Sequence, residues 1–272
     1  MARTNRRTNK TRSNRIDSAF NDGHPRRAKF LPDEDNLVHT EHYTQQALPQ
    51  FTPANERQRT ALRYLTEGRS LVFLTGTFGT GKSMIAAYHA ARLLKQKKVE
   101  KVYLIRPNVH CGKSVGMLKG TLSEKLEPFF AQTVAHLEFF MGKGFTKYAL
   151  DKKIVEYVAV EYLRGLSFEN AVCIFEESQG LTHEEFETCL SRLGNNAQFC
   201  FTGDFKQVDN NVKSGLNSTL AMLDKVLDDE PAYLNDDDLD LLAKNIGVVV
   251  FQPEDVVRSG VGRALAKIYY HN

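Results

Sequence analysis

The sequence lacks the features that mark secreted, membrane-spanning or zinc-stabilised proteins. Its four cysteines form no C-x-x-C pair of the kind that holds zinc or performs redox chemistry, and the absence of tryptophan excludes no class of function. No run approaches the roughly eighteen apolar residues that a membrane-spanning helix needs. The N-terminus has no apolar segment typical of a secretory signal. These absences predict a cytoplasmic protein, and we interpret the cysteines as buried, reduced thiols.

Positive charge is concentrated at the N-terminus. The first thirty residues carry nine basic and two acidic side chains, whereas the rest of the chain carries 27 basic and 31 acidic ones. Residues 1–50 also lack a sustained apolar period, so they cannot bury enough apolar surface to offset the entropy of ordering. We predict a basic, largely disordered tail that contacts RNA or single-stranded DNA. A flexible, solubilising leader is the alternative.

From residue 51 to 272, short apolar runs alternate with helix-like stretches. The predicted strands are 71–75, 102–105, 154–158, 172–175, 199–202 and 248–251. The predicted helices are 55–67, 82–97, 121–141, 183–193, 215–227 and 260–270. Continuous apolar runs are typical of strands that are buried on both faces. The pattern therefore predicts one α/β domain with a mainly parallel sheet flanked by helices.

Three local features refine these elements. Thr182 and Glu185 have the spacing of a capping box at the start of a helix, and Gly194 is expected to end that helix. Pro128 is expected to kink or break the long helix that contains it. The acidic stretch 228–240 is interpreted as a solvated loop that leads into the start of a helix.

A phosphate-binding loop follows the first predicted strand. Residues 76–83 match the pattern G-x-x-x-x-G-K-[ST], with a strand before and a helix after. The predicted nucleotide-binding residues of the loop are Gly76, Thr77, Phe78, Gly79, Thr80, Gly81, Lys82 and Ser83. Its backbone N–H groups and the helix N-terminus suit phosphate, Lys82 can reach the β- and γ-phosphates, and Ser83 is placed for Mg²⁺. The sequence therefore predicts a RecA-like P-loop NTPase that binds ATP and Mg²⁺.

Polar side chains follow two later strands. Glu176 and Glu177 end an apolar run, and Asp204 and Gln207 follow the next one. Ligands of such sheets bind beyond the carboxyl ends of the strands. We predict Glu176 as a metal ligand, Glu177 as the base that orients or deprotonates water, and Gln207 as a contact to the γ-phosphate or the attacking water.

With these residues identified, the chain resembles the PhoH-like (phosphate-starvation-inducible) family of P-loop ATPases and, more distantly, the core of superfamily 1 helicases. The resemblance covers about 52 to 272. It is carried by the motifs at 105–107, 124–128, 162–165, 176–179, 190–194, 202–209, 214–216 and 255–258. The compact form, with no nuclease-like segment before the ATPase, resembles versions carried by bacteriophages.

The resemblance implies further roles. Asn55 and Gln58 are similar to the segment that reads adenine. Arg258 is similar to a catalytic arginine that acts on the γ-phosphate bound by its own chain or by a neighbouring subunit. The second arrangement implies a homo-oligomeric ring, such as a hexamer. Contacts to phosphates of ATP or nucleic acid are implied for Arg106, Arg164, Arg192 and Asp204. For the three arginines, structural ion pairs are the alternative.

Three positions depart from the family pattern. Glu176 stands where Asp is usual, which predicts altered magnesium geometry and slower hydrolysis with binding retained. Phe78 stands in the loop where a small residue is usual, and Ser259 where His is common.

These observations favour a Mg-ATP hydrolase that acts with RNA or single-stranded DNA. The alternatives are an oligomeric helicase or translocase and a catalytically weak, nucleotide-gated nucleic-acid-binding or scaffold protein. A small-molecule kinase is disfavoured, because no acceptor pocket or basic lid is recognisable.

Overall fold

A computed structural model describes residues 47–107, 122–207, 214–229, 231 and 233–271. Residues 1–46, most of the predicted basic tail, and Cys111 lie outside the described residues. A single six-stranded sheet forms the centre of the described chain, with strand order β3-β2-β4-β5-β1-β6 and all neighbouring strands parallel. The strands are β1 (Leu71–Gly76), β2 (Lys101–Arg106), β3 (Val155–Ala159), β4 (Ala171–Phe175), β5 (Ala197–Gly203) and β6 (Ile246–Phe251). All six predicted strands and their parallel arrangement are confirmed.

Helices cover both faces of this sheet. They are α1 (Glu56–Thr66), α2 (Lys82–Lys95), α3 (Leu122–Met141), α4 (Lys143–Asp151), α5 (His183–Leu190), α6 (Gly215–Asp229), α7 (Asp236–Asn245) and α8 (Gly260–His271). The six predicted helices are confirmed, α4 was not predicted, and α7 was predicted only as a loop that leads into the start of a helix. In the acidic stretch, α7 is a full helix capped by Asn235, and its first turn holds three aspartates where the helix dipole favours negative charge.

Two local predictions on helices need correction. Pro128 lies inside α3 without breaking it, because buried residues such as Phe130 and Leu137 pack the helix onto the rest of the domain and outweigh the lost backbone hydrogen bond. The capping box of Thr182 and Glu185 is confirmed, but α5 ends at Leu190, before Gly194. Gly194 instead passes so close to the Phe168 carbonyl that a Cβ there would lie 2.4 Å from its oxygen.

An aromatic cluster on one face of the sheet fixes the central strands. Phe201 of β5 stacks on Phe175 of β4, with ring centroids 4.4 Å apart, and on Phe73 of β1, at 5.0 Å. Phe186 of α5 covers the cluster at 4.8 Å from Phe201. These rings are fully buried, so they hold β1, β4 and β5 side by side and bring the carboxyl ends of the three strands together.

The opposite face carries an aliphatic core. Small residues of α2, such as Ala87 and Ala90, allow this helix to lie close to the sheet, where Val72 and Leu74 contribute from β1. Cys173, Cys189 and Cys200 are buried free thiols, as predicted. Among the described helices, none is both long enough and apolar enough to cross a membrane.

Candidate nucleotide-binding site

The phosphate loop connects β1 to α2 through a backbone that requires glycine. Gly76, Gly79 and Gly81 have φ values of 98°, 69° and 87°, which disfavour residues with a side chain. A Cβ at Gly76 would lie 2.2 Å from the Phe251 oxygen, because the loop is fastened to the end of β6. The N–H of Thr77 donates to the same carbonyl at 3.1 Å. Backbone conformation and close packing therefore explain why the motif has glycine at these positions.

Lys82 begins α2 and lies inside the loop. Its Nζ donates to the carbonyl oxygens of Gly76 and Thr77, each at 2.7 Å. Burial lowers the pKa of this ammonium to about 8, although the negative charges of Asp204 and Glu177 oppose the shift. The protonation of Lys82 therefore depends on its burial in the loop and on the nearby carboxylates.

Two neighbouring carboxylates leave the end of β4 in different directions. Glu177 has a left-handed backbone, with φ 51° and ψ 38°, which turns the chain sharply. Glu176 is buried, and the Thr133 hydroxyl of α3 donates to it. Burial raises the pKa of Glu176 to about 7, the charge of Arg106 opposes this, and the charge of Glu177 adds to it. Glu177 is exposed and lines the cavity, and its role as a base stays a prediction.

Gln179 connects the carboxylates to the next strand. Its Nε2 donates to Glu177 Oε2 at 2.6 Å, and its Oε1 accepts from the backbone N–H of Asp204 at 3.0 Å. Gln179 is buried, and a Cβ at Gly203 would lie 2.7 Å from its Oε1, so glycine is needed there. Gln179 was not predicted as a site residue, although the resembling motif at 176–179 contained it.

Asp204 is held by the last turn of α8. The Tyr270 hydroxyl donates to Asp204 Oδ2, and the backbone N–H of Lys206 donates to Oδ1 at 3.1 Å. Burial raises the pKa of Asp204, while the Lys206 hydrogen bond and the charge of Lys82 oppose the shift. Tyr270 was missed by sequence reasoning, because nothing in its local pattern indicates a contact with a residue 66 positions away.

Helix α3 forms a wall that the sequence did not predict. Phe129, Gln132, Thr133 and His136 face the phosphate loop across the cavity. Arg106 lies beside them, and its Nη1 donates to the Phe129 oxygen at 3.0 Å. Burial lowers the pKa of His136, and the positive charge of Arg258 adds to this shift.

These groups line one cavity of about 320 Å³ at the carboxyl ends of the strands. Of the predicted site residues, the structure brings these together: Phe78, Gly79, Thr80, Gly81, Lys82, Ser83, Arg106, Glu176, Glu177, Asp204, Gln207 and Arg258. Arg258 lies over the loop of its own chain, where a Cβ at Gly79 would be 3.2 Å from its Cδ. Val257 fixes this position, since its N–H donates to the Gly79 oxygen at 3.1 Å.

Six predicted residues do not line this cavity: Gly76 and Thr77, which begin the phosphate loop, and four residues from other segments. Gln58 is buried under the loop, where its Nε2 donates to the Thr80 oxygen at 2.8 Å and its Oε1 accepts from the Ala54 N–H at 2.7 Å. Asn55 caps α1 and donates to the Asp255 oxygen at 3.3 Å. Adenine reading by this pair stays a prediction, and Gln58 would first have to release these contacts.

The other two are arginines. Arg164 borders a separate cavity beside Glu184 and Glu185. Arg192 donates to the Leu166 oxygen at 3.3 Å, so it supports a neighbouring turn. Contacts of these arginines with phosphate stay predictions.

The chemistry of the cavity fits a triphosphate. The loop offers backbone N–H groups and one ammonium, and the buried Nε of Arg106 and Nδ1 of His136 have no hydrogen-bond partner among the described residues. Ser83 and Glu176 provide oxygen atoms of the kind that Mg²⁺ prefers, and Glu176 must be ionised for that purpose.

A parallel sheet whose first strand ends in this loop, with carboxylates at the neighbouring strand ends, defines a P-loop NTPase fold. The family model described as "PhoH-like protein" matches residues 50–270. The chain belongs to the PhoH-like family.

Individual relatives agree with this assignment. The chain is 33% identical over 216 residues to Protein PhoH of Escherichia coli K12, covering 77% of this chain and 56% of that protein. It is 36% identical over 155 residues to a PhoH-like protein of Bacillus subtilis, covering 56% and 49%. The chain thus spans about half the length of the curated relatives it matches.

Among solved structures, the large terminase of bacteriophage HK97 is similar with a TM-score of 0.48 and 12% identity, covering 86% of this chain and 52% of that one. The Pif1 helicase of Candida albicans is similar with a TM-score of 0.32 and 16% identity, covering 74% and 40%.

Proposed function

We propose that this protein binds Mg-ATP in the cavity and hydrolyses it, in association with RNA or single-stranded DNA. The observation that carries the proposal is that the phosphate loop, Glu177 and Asp204 line one cavity although they come from three different strands. Each group then has a chemical task in the proposed reaction.

The proposed chemistry is positioning combined with electrostatic stabilisation. The loop amides and Lys82 hold the phosphates. Arg258, which lies next to Gly79, adds positive charge to the cavity. Glu177, oriented by Gln179, accepts a hydrogen bond or a proton from the attacking water. Mg²⁺, held by Ser83 and Glu176 when bound, supplies charge that offsets the developing negative charge on the phosphates.

The test separates binding from hydrolysis with two variants. Lys82→Ala is expected to lose both ATP binding and phosphate release, because the phosphates lose their ammonium partner. Glu177→Gln keeps the shape and is expected to bind ATP while phosphate release falls by about 10²-fold or more. Calorimetry with a non-cleavable ATP analogue and a phosphate-release assay measure the two quantities.

A suitable control is Lys244→Ala, which removes an exposed lysine paired with Asp240 on α7. It should change neither quantity, since exposed ion pairs contribute little. Phosphate release from Lys82→Ala at the wild-type rate would end the hydrolase proposal.

A second candidate is a nucleotide-gated binding protein with weak catalysis. It is favoured by Glu176, whose carboxyl is buried against the Thr133 hydroxyl and has a pKa raised to about 7. Part of the Glu176 carboxyl population is then protonated at neutral pH and cannot bind a cation. This candidate predicts tight ATP binding with negligible turnover, and single-turnover measurements would distinguish it from the hydrolase.

A further inference from the structure

A second cleft borders the phosphate loop on its outer side. Phe78, Lys206, Gln207, Tyr269 and Tyr270 line a space of about 270 Å³. Phe78 and Gln207 line both this cleft and the nucleotide cavity, whereas Tyr269 and Tyr270 belong to the cleft alone. The cleft, which we call the aromatic cleft, therefore lies beside the site without overlapping its catalytic carboxylates.

One of its aromatic rings is fixed and another is free to receive a ligand. Tyr270 is held by its hydroxyl bond to Asp204, by the ring of Phe78 at 6.1 Å, and by Lys206, whose Nζ donates to its backbone oxygen at 2.7 Å. The neighbouring Tyr269 is 69% exposed. A large exposed aromatic beside a rigid aromatic wall is a stacking platform.

The side chains that line the aromatic cleft carry positive charge only, and the Asp204 carboxylate next to them is bonded to the Tyr270 hydroxyl. Lys206 lies over the Tyr270 ring at 5.1 Å, and none of the described lining residues carries a negative charge. Helix α8 contains no acidic residue and contributes Lys267, while its Arg263 donates to the Val256 oxygen at 3.1 Å. Lys267 is exposed and lies one helical turn before Tyr270, so it faces the same side of the helix. Cations combined with stacking faces suit a polyanion that carries planar bases.

We propose that the aromatic cleft binds a base of single-stranded nucleic acid, with Tyr269 as the stacking residue and Lys267 contacting the phosphate backbone. This inference rests on the nucleic-acid association proposed above. In this proposal Phe78, the large residue in the phosphate loop, forms one side of the base-binding cleft. It also gives a route for stimulation, because a base in the cleft would contact Phe78 and Gln207, which also line the nucleotide cavity.

The experiment measures fluorescence anisotropy of labelled oligouridylate and oligodeoxythymidylate, each of about twelve nucleotides, with the full chain, Mg²⁺ and a non-cleavable ATP analogue. Tyr269→Ala should weaken binding by about tenfold, while Tyr269→Phe, which keeps the ring, should bind as the wild type does. The two oligonucleotides show whether RNA or DNA is preferred. ATP affinity should be unchanged in both variants, because Tyr269 does not line the nucleotide cavity.

Two further probes separate stacking from charge. An abasic deoxyribose-phosphate chain should bind wild type and Tyr269→Ala equally, since it has no base to stack. Lys267→Gln should lower the salt dependence of binding by about one counterion, whereas Tyr269→Ala should leave that slope unchanged. Tyr233→Ala is the control, because Tyr233 is 78% exposed but lies in the acidic region near α7.

The outcomes distinguish the two proposals. If the wild type binds both oligonucleotides and Tyr269→Ala binds them equally well, the cleft proposal is overturned, the nucleic-acid association stands, and the exposed aromatic surface is left to a protein partner. If the wild type binds neither, both proposals are overturned.

Discussion

Single residues at the end of β4 place its two carboxylates in different surroundings. The backbone of Glu177 is left-handed, and the two carboxylates differ in burial: Glu176 is buried against α3, whereas Glu177 is exposed at the cavity. Such a conformation costs about 1 kcal/mol or more in a residue with a side chain, and the surrounding structure has to impose it. The Gln179 hydrogen bond is part of that constraint.

Gln179 should therefore matter for turnover more than for binding. Gln179→Met keeps the length of the side chain but removes the donor to Glu177 and the acceptor for the Asp204 N–H. We expect kcat to fall by about tenfold or more, with the ATP Kd nearly unchanged, because the lost bond orients the base and does not contact the phosphates. Gln96→Met, at the exposed C-terminal end of α2, is a control for the substitution itself. Equal losses in kcat and in affinity would contradict the role.

Lys82 should make ATP binding dependent on pH. In the free protein its pKa is about 8, and a bound triphosphate raises it, so binding takes up a proton above pH 8. Above pH 8 the affinity should fall with rising pH, by up to about tenfold per pH unit. Calorimetry across this range measures the slope. Lys82→Arg keeps its charge and should show no such fall, so an equal slope in both proteins would exclude Lys82 as the cause.

At the scale of elements, α3 is stabilised by packing despite its sequence. Pro128 is exposed in the middle of the helix, where its ring and its missing N–H both disfavour helical structure. The buried side of the same helix supplies Phe130 to the core and Thr133 to Glu176. Position 128 thus carries a local cost that the tertiary contacts of α3 offset.

Replacing this proline should stabilise the domain. Pro128→Ala restores a backbone donor in an exposed position, and we expect the free energy of unfolding to rise by about 1–3 kcal/mol, less the entropy that proline removes from the unfolded chain. Urea denaturation followed by circular dichroism measures the change, with the neighbouring Glu127→Ala as control. An unchanged or lower midpoint would mean that the proline fits α3 without strain.

At the scale of the whole molecule, one buried polar network joins three elements. His89 of α2 hydrogen-bonds the Gln198 Oε1 of β5, and the Gln198 Nε2 donates to the oxygens of Leu65 and Arg69 at 3.1 and 2.7 Å. Burial lowers the pKa of His89 to about 4, and the positive charges of Arg92 and Lys98 add to this shift, against the opposing Gln198 hydrogen bond. The imidazole is therefore neutral in the folded protein at neutral pH.

This network predicts a loss of stability in acid. The folded-state pKa of His89 lies below its ordinary value of 6.5, so the unfolded chain takes up the proton first, and stability is lost as the pH falls from about 6.5 toward 4. We expect His89 to contribute about 2–3 kcal/mol to the difference in unfolding free energy between pH 7 and pH 4.5. Urea denaturation of the wild type and His89→Leu at pH 7 and pH 4.5 isolates the contribution of His89, because all other titrating groups are the same in the two proteins. An identical pH dependence would contradict it.

The sequence by itself determined the parallel sheet, the six main helices and the phosphate loop, because each is encoded in contiguous residues: apolar runs, a capping box, and glycines followed by Lys82 and Ser83. It also placed Glu176, Glu177 and Asp204 at strand ends, since parallel strands bring those ends to one edge. Only the tertiary structure decided the buried position of Glu176 against Thr133, the bridge made by Gln179, the Tyr270 bond to Asp204 and the helical state of Pro128. Those depend on contacts between residues far apart in the chain, and no local pattern specifies them.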